Sequence, residues 1–200
     1  MHPSGTELPT KSEWRARLLA ERAAVPAGVH IAEARVLAET VGSLPGVGDG
    51  RIVCCYVPFG SEPGSLGFLD ALIAAGARVL LPVVPPTPGP LAWAGYAGSS
   101  SLVSGRLRGL REPAGPHLPP TALADASLVL VPALAVDHAG VRLGRGAGYY
   151  DRSLSLAVPG TELVAVVRDS ELVPRLPADT HDVRMTAVLT PGLGLVRLPR

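Results

Sequence analysis

The sequence predicts one α/β domain of three layers, with helices on both faces of a mostly parallel central sheet. Five apolar runs of strand length carry the prediction: Arg51–Pro58, Arg78–Val84, Ser127–Val136, Glu162–Val167 and Met185–Thr190. They are near-continuous rather than alternating, as strands buried on both faces are. Helical stretches separate them. The 200-residue length suits one well-buried core without requiring a second.

Each element has a local reason. Thr10 and Glu13 form a T-x-x-E capping box that starts a helix running to about Ala24, with Trp14, Leu18 and Leu19 on its apolar face. A second helix is expected from near Val29 to Val41, until the stretch SLPGVGDG breaks it. Gly64–Ala75 reads as a helix ended by Gly76. PPTPGP is a rigid turn, because apolar residues resume at once in LAWAGYA. The segment from Gly98 to Pro120, rich in Gly, Ser, Pro and Arg, offers no periodicity to read. A helix is expected from near Gly148 to about Leu156 and a helical turn near Asp169–Val173. Residues 1–9 are expected to be flexible.

A formal net charge of +1 argues against a general nucleic-acid or membrane-surface binder, and we expect neither partner. Lys11 is the single lysine among eighteen Lys and Arg residues, which singles it out. Cys54 and Cys55 are adjacent, pair only in a strained ring and have no metal-type spacing, so free buried thiols in a reducing compartment are expected. The first residues lack an apolar signal core, and no apolar run reaches the ~18 residues needed to span a bilayer. These features predict a cytoplasmic protein, which we expect to be a monomer.

The chemistry concentrates in RLGRGAGYYDRSL, Arg142–Leu154. Its glycines fit neither the dinucleotide fingerprint nor the P-loop. Gly144, Gly146 and Gly148 let backbone amides approach an anion, Arg142 and Arg145 add bidentate positive charge, and Asp151 could take a hydrated Mg²⁺. A surface loop with a structural Arg142–Asp151 pair is the competing reading.

With its neighbours the stretch reads VPALAVDHAGVRLGRGAGYYDRSL. It closely resembles the 5-formyltetrahydrofolate cyclo-ligase signature, V-P-G-x-A-F-D-x-x-G-x-R-L-G-x-G-x-G-Y-Y-D. Four further segments, KSEWRARLLAERAAV, YVPFGSEPGS, LREP and LPADTHDVRMTAVLT, resemble other family segments in the same order. The resemblance implies a fold related to the ribose-5-phosphate isomerase and CoA-transferase group. It also implies ATP- and Mg²⁺-dependent conversion of 5-formyltetrahydrofolate to 5,10-methenyltetrahydrofolate. There the formyl oxygen attacks the γ-phosphate of ATP, N10 attacks the activated carbon, and phosphate leaves.

Residue by residue, the resemblance assigns Lys11 and Arg15 to ATP, and Arg142, Gly144, Arg145, Gly146, Gly148 and Tyr149 to a phosphate cradle. Tyr150 would lie between nucleotide and folate, with Arg145 and Tyr150 as the catalytic pair. Asp151 and Asp182 match magnesium positions. Glu62, Val57 and Trp93 match the folate side, although Val57 and Trp93 could equally be core, Glu62 a surface glutamate in a Gly/Pro loop, and Asp182 a helix-capping or loop-fixing carboxylate. His181 receives no catalytic role. The chain departs from the family pattern at Val136, where phenylalanine is usual, near Val167–Arg168, where an aromatic is common, and at Glu171, where glutamine is frequent. Two other readings stay open: a relative that binds nucleotide but has lost or changed its folate substrate, and a sugar-phosphate isomerase or CoA-transferase relative.

Overall fold

A computed structural model describes residues 9–180 and 182–199. The flexible stretch expected at 1–9 falls almost wholly outside the described residues, and so does His181. Among the described residues four α-helices form: α1 (Lys11–Ala23), α2 (Ala27–Val41), α3 (Leu66–Ala74) and α4 (Tyr149–Leu154). The strands are β1 (Ile52–Cys54), β2 (Arg78–Val83), β3 (Ala92–Gly95), β4 (Leu102–Ser104), β5 (Arg111–Pro113) and β6 (Ala126–Pro132). After them come β7 (Ala135–Asp137), β8 (Arg142–Leu143), β9 (Glu162–Val166), β10 (Leu172–Val173), β11 (Ala187–Thr190) and β12 (Gly194–Arg197).

Seven strands make the central sheet in the order β12-β11-β9-β6-β1-β2-β3. The pairings from β11 to β2 are parallel, with Val53 beside both Val79 and Leu128, while β3 and β12 close the edges antiparallel. Helices α2 and α3 cover one face through Leu37, Val41, Phe68, Leu69 and Leu72. The other face buries Trp93, Leu123, Val129, Val131 and Leu154, the last from α4. The expected three layers form, for the expected reason: strands apolar on both faces need cover on both.

Three local differences position the site. The run Ser127–Val136, expected as one strand, divides at Pro132 into β6 and β7. Proline has no N–H for the ladder, and β7 leaves to join β8 and β10 in a separate three-stranded sheet. Helix α1, capped by Thr10 and Glu13 as expected, packs on that small sheet. Its Trp14 and Leu18 meet Leu134, Ala135, Val141, Leu143, Val173 and Leu176. The segment Gly98–Pro120 contains the short β4–β5 hairpin, whose hydrogen bonds were invisible in its composition.

Candidate functional site

The division of the long apolar run opens a cavity of about 250 Å³ at the carboxyl end of β6, where an open α/β sheet places its ligand. Its walls come from the Tyr56–Glu62 segment after β1, the turn into β5 and the Gly144–Asp151 loop. Most of that wall is apolar.

The loop opens where β8 ends and closes into α4. At Gly144 an added Cβ would stand 2.6 Å from Nη1 of Arg142, so a side chain there would displace the arginine. Gly148 caps α4 at φ +71°, a left-handed conformation that costs other residues more. Helix α4 is shorter than expected, six residues from Tyr149 to Leu154. The positive charge at the loop therefore comes mainly from arginines.

Those arginines are held from different sides. Arg15, on α1, donates through Nε to the Gly144 carbonyl at 2.9 Å. Arg142 is buried, contacts the Pro132 carbonyl at 3.4 Å and pairs with Asp151. Arg145 donates through Nε to Oε1 of Glu62 at 3.2 Å, and the other Glu62 oxygen accepts the Phe59 N–H at 3.1 Å. Burial pushes the Glu62 carboxyl above its ordinary pKa, opposed by Arg145 first and by Arg22 more weakly. Among the described residues the buried Tyr150 hydroxyl has no hydrogen-bond partner, and burial drives its pKa well above the ordinary tyrosine range. Buried hydroxyls are usually paired, so an unpaired one on a cavity wall is open to a ligand, an ion or a water.

Lys11 lies off the cavity lining. Its Nζ donates to Asp179 at 2.7 Å and Asp182 at 2.9 Å. Burial alone would lower its pKa, but the bonds and charges of the two aspartates outweigh burial and raise it. Among the described residues no group of three or more His, Cys, Asp or Glu side chains could hold a metal ion. Asp151 and Asp182 each carry a cationic partner.

The profile of the 5-formyltetrahydrofolate cyclo-ligase family matches residues 7–191. This chain belongs to that family. A 5-formyltetrahydrofolate cyclo-ligase of Mycolicibacterium smegmatis is 50% identical over 194 residues, covering 94% of this chain and 97% of the relative. The cyclo-ligase of Escherichia coli K12 is 34% identical over 142 residues, covering 70% and 78%. The solved 5,10-methenyltetrahydrofolate synthetase of Aquifex aeolicus superposes with a TM-score of 0.75 at 28% identity, over 95% of this chain and 93% of that one.

Of the residues this cyclo-ligase family member was expected to use, Val57, Glu62, Arg142, Gly144, Arg145, Gly146, Gly148, Tyr149, Tyr150 and Asp151 share the one cavity. Lys11, Arg15 and Asp182 do not line it, though Arg15 reaches the glycine loop from behind. Trp93 is fully buried in the core beneath the sheet, off the lining. Val136, where phenylalanine is usual, is likewise core. Asp137, two per cent exposed, receives the N–H groups of Ala139, Val141 and Leu176, each at 2.9 Å, and so holds the strand that leads into the site. Arg22, Tyr56, Leu107, Arg108, Leu110 and Arg111 also line the cavity, and none was expected from the sequence. For Arg22 a signal existed: Lys11, Arg15, Leu18 and Arg22 follow i, i+4, i+7, i+11 along one helical face.

Proposed function

We propose that this chain cyclises 5-formyltetrahydrofolate to 5,10-methenyltetrahydrofolate, with ATP converted to ADP and phosphate. The reading rests on one observation above others: the glycine-loop arginine Arg145 is ion-paired with Glu62 inside a single apolar cavity. Charge suited to phosphate and a carboxylate suited to a pterin thus meet in one place. When bound, ATP supplies the phosphoryl group that makes the formyl oxygen a leaving group. N10 then closes on the formyl carbon, loses its proton, and phosphate departs with the oxygen.

The protein's part is positioning and charge neutralisation, as in other phosphoryl transfers. Lys11, Arg15, Arg142 and Arg145 would hold the phosphates around Gly144, Gly146, Gly148 and Tyr149. Arg145 would balance charge on the phosphoryl group in flight, and the Tyr150 hydroxyl would find its partner on the reacting groups. Glu62 and Val57 would hold the folate. Magnesium fits the donor chemistry, since it keeps waters and needs only one or two carboxylates beside the phosphates. Asp151 and Asp182 would supply them once the phosphates draw Arg142 and Lys11 away. The two free cysteines support a reducing, cytoplasmic setting. We also propose that residues 1–200 act as one domain and as a monomer.

The test mixes purified protein, 5-formyltetrahydrofolate, Mg²⁺ and ATP, and follows the methenyl absorbance in the near ultraviolet together with ADP. One ADP per methenyl product is expected. Folded protein that forms no product with ATP would defeat the reading.

A further inference from the structure

Arg22, in the last turn of α1, lines the cavity wall with its side chain 1% exposed. Its Nε and Nη2 donate to the two Glu171 oxygens at 2.6 and 2.7 Å, and Nη2 also donates to the Ala133 carbonyl at 2.6 Å. Glu171 is itself fixed: it accepts the backbone N–H of Arg168 at 2.8 Å and lies 3.8 Å from that guanidinium. Arg168 in turn donates to the carbonyl of Ser61, the residue before Glu62, at 3.2 Å. Only Nη1 of Arg22 has no protein partner among the described residues. A guanidinium is planar, so locking one edge fixes the direction of the N–H bonds on the remaining nitrogen.

Two charges buried against each other are a poor source of stability compared with apolar residues of the same size. Here the pair does something else, holding a donor rigidly at the cavity that Glu62 also lines. The carboxylate at 171 makes the lock bidentate, where a glutamine would offer one oxygen. A fixed donor and a fixed acceptor sharing a cavity can read a ligand edge that carries an acceptor next to donors. The pterin ring of a folate has such an edge: its 4-oxo oxygen accepts, while N3–H and the 2-amino group donate.

We propose that Arg22 is a specificity-determining residue, donating from Nη1 to the pterin 4-oxo oxygen while Glu62 accepts from N3–H and the 2-amino group. Glu171 is the positioning residue that aims it. This inference rests on the cyclo-ligase reading above.

The test compares 5-formyltetrahydrofolate with its 4-amino counterpart, in which the 4-oxo acceptor becomes a donor and N3 loses its hydrogen and becomes an acceptor, by equilibrium binding and by KM. Wild-type protein should prefer the 4-oxo ligand, with Arg22 contributing about 10- to 100-fold, the span of one charge-assisted hydrogen bond, and Glu62 a further share through N3–H. The double variant Arg22→Met/Glu171→Gln, which leaves neither partner as an uncompensated charge, should lose the Arg22 share, about 10- to 100-fold, and keep the Glu62 share. Glu171→Gln alone, the milder change, should show an intermediate preference. A double variant that binds both ligands more weakly but keeps the full wild-type preference would overturn the proposal and leave Arg22 a structural role. Equal binding of the two ligands by wild type would overturn it too, with the cyclo-ligase reading intact. Wild type that binds neither folate would defeat both.

Discussion

Glu62, the residue proposed to hold the pterin, pays for its place with stability. Burial raises its pKa above the ordinary 4.5, and Arg145 and then Arg22 only partly restore it. A carboxyl raised in the folded state favours folding below its unfolded pKa, and that contribution is lost as pH rises through the folded value. Near neutral pH the ionised group therefore costs stability. Glu62→Gln should raise the thermal midpoint at pH 7, with the gain vanishing below pH ~4.5, the unfolded carboxyl's range. A lower midpoint at pH 7 would contradict this. On the proposed reading the same residue would set the pH dependence of folate use. KM for folate should rise on acidification sooner than an ordinary carboxylate would dictate, and Arg145→Ala should move that rise towards neutral pH. An unmoved profile would remove Arg145 from this role. Glu62 was legible because it stands in a recognisable segment. Its strained ionisation was not, because burial is a property of the whole fold.

At the scale of an element, α1 matters most. Its start was readable from the capping box alone, since that device is local in sequence. Its seat was not readable, because an apolar stripe says that a helix packs and not on what. The structure docks it on the small sheet of β7, β8 and β10, bringing Arg15 to the back of the glycine loop and Arg22 to the cavity. Leu18→Ala, at a position one per cent exposed, should cost about 2–5 kcal/mol in denaturant unfolding. It should also raise the KM for ATP, because the helix carrying Lys11 and Arg15 would sit loosely. Leu37→Ala on α2, equally buried, should cost a similar amount and leave the KM for ATP unchanged. Equal KM changes in both variants would count against α1 as the arm that serves the nucleotide.

For the whole molecule, the nucleotide is expected to bridge α1 and the glycine loop, two parts of the chain that meet only on folding. Binding confined to the folded state stabilises by mass action, about 2.7 kcal/mol at a hundredfold excess over Kd. For a chain of this size that corresponds to a rise in Tm of roughly 5–10 °C. Lys11→Ala should lose most of the rise at the same nucleotide concentration, and a wild-type midpoint indifferent to nucleotide would contradict the arrangement. The sequence by itself determined the parallel sheet, because strands buried on both faces must be apolar throughout. It also determined the glycine loop, whose close approaches and left-handed Gly148 leave their mark in residue type, and the family, whose segments keep their order along the chain. Tertiary structure alone decided that Trp93 belongs to the core, that Ser127–Val136 turns away at Pro132, and that Arg22 and Glu171 lock together. Each of these depends on partners distant in sequence, and such pairings leave no periodicity or local motif for a linear reading to find.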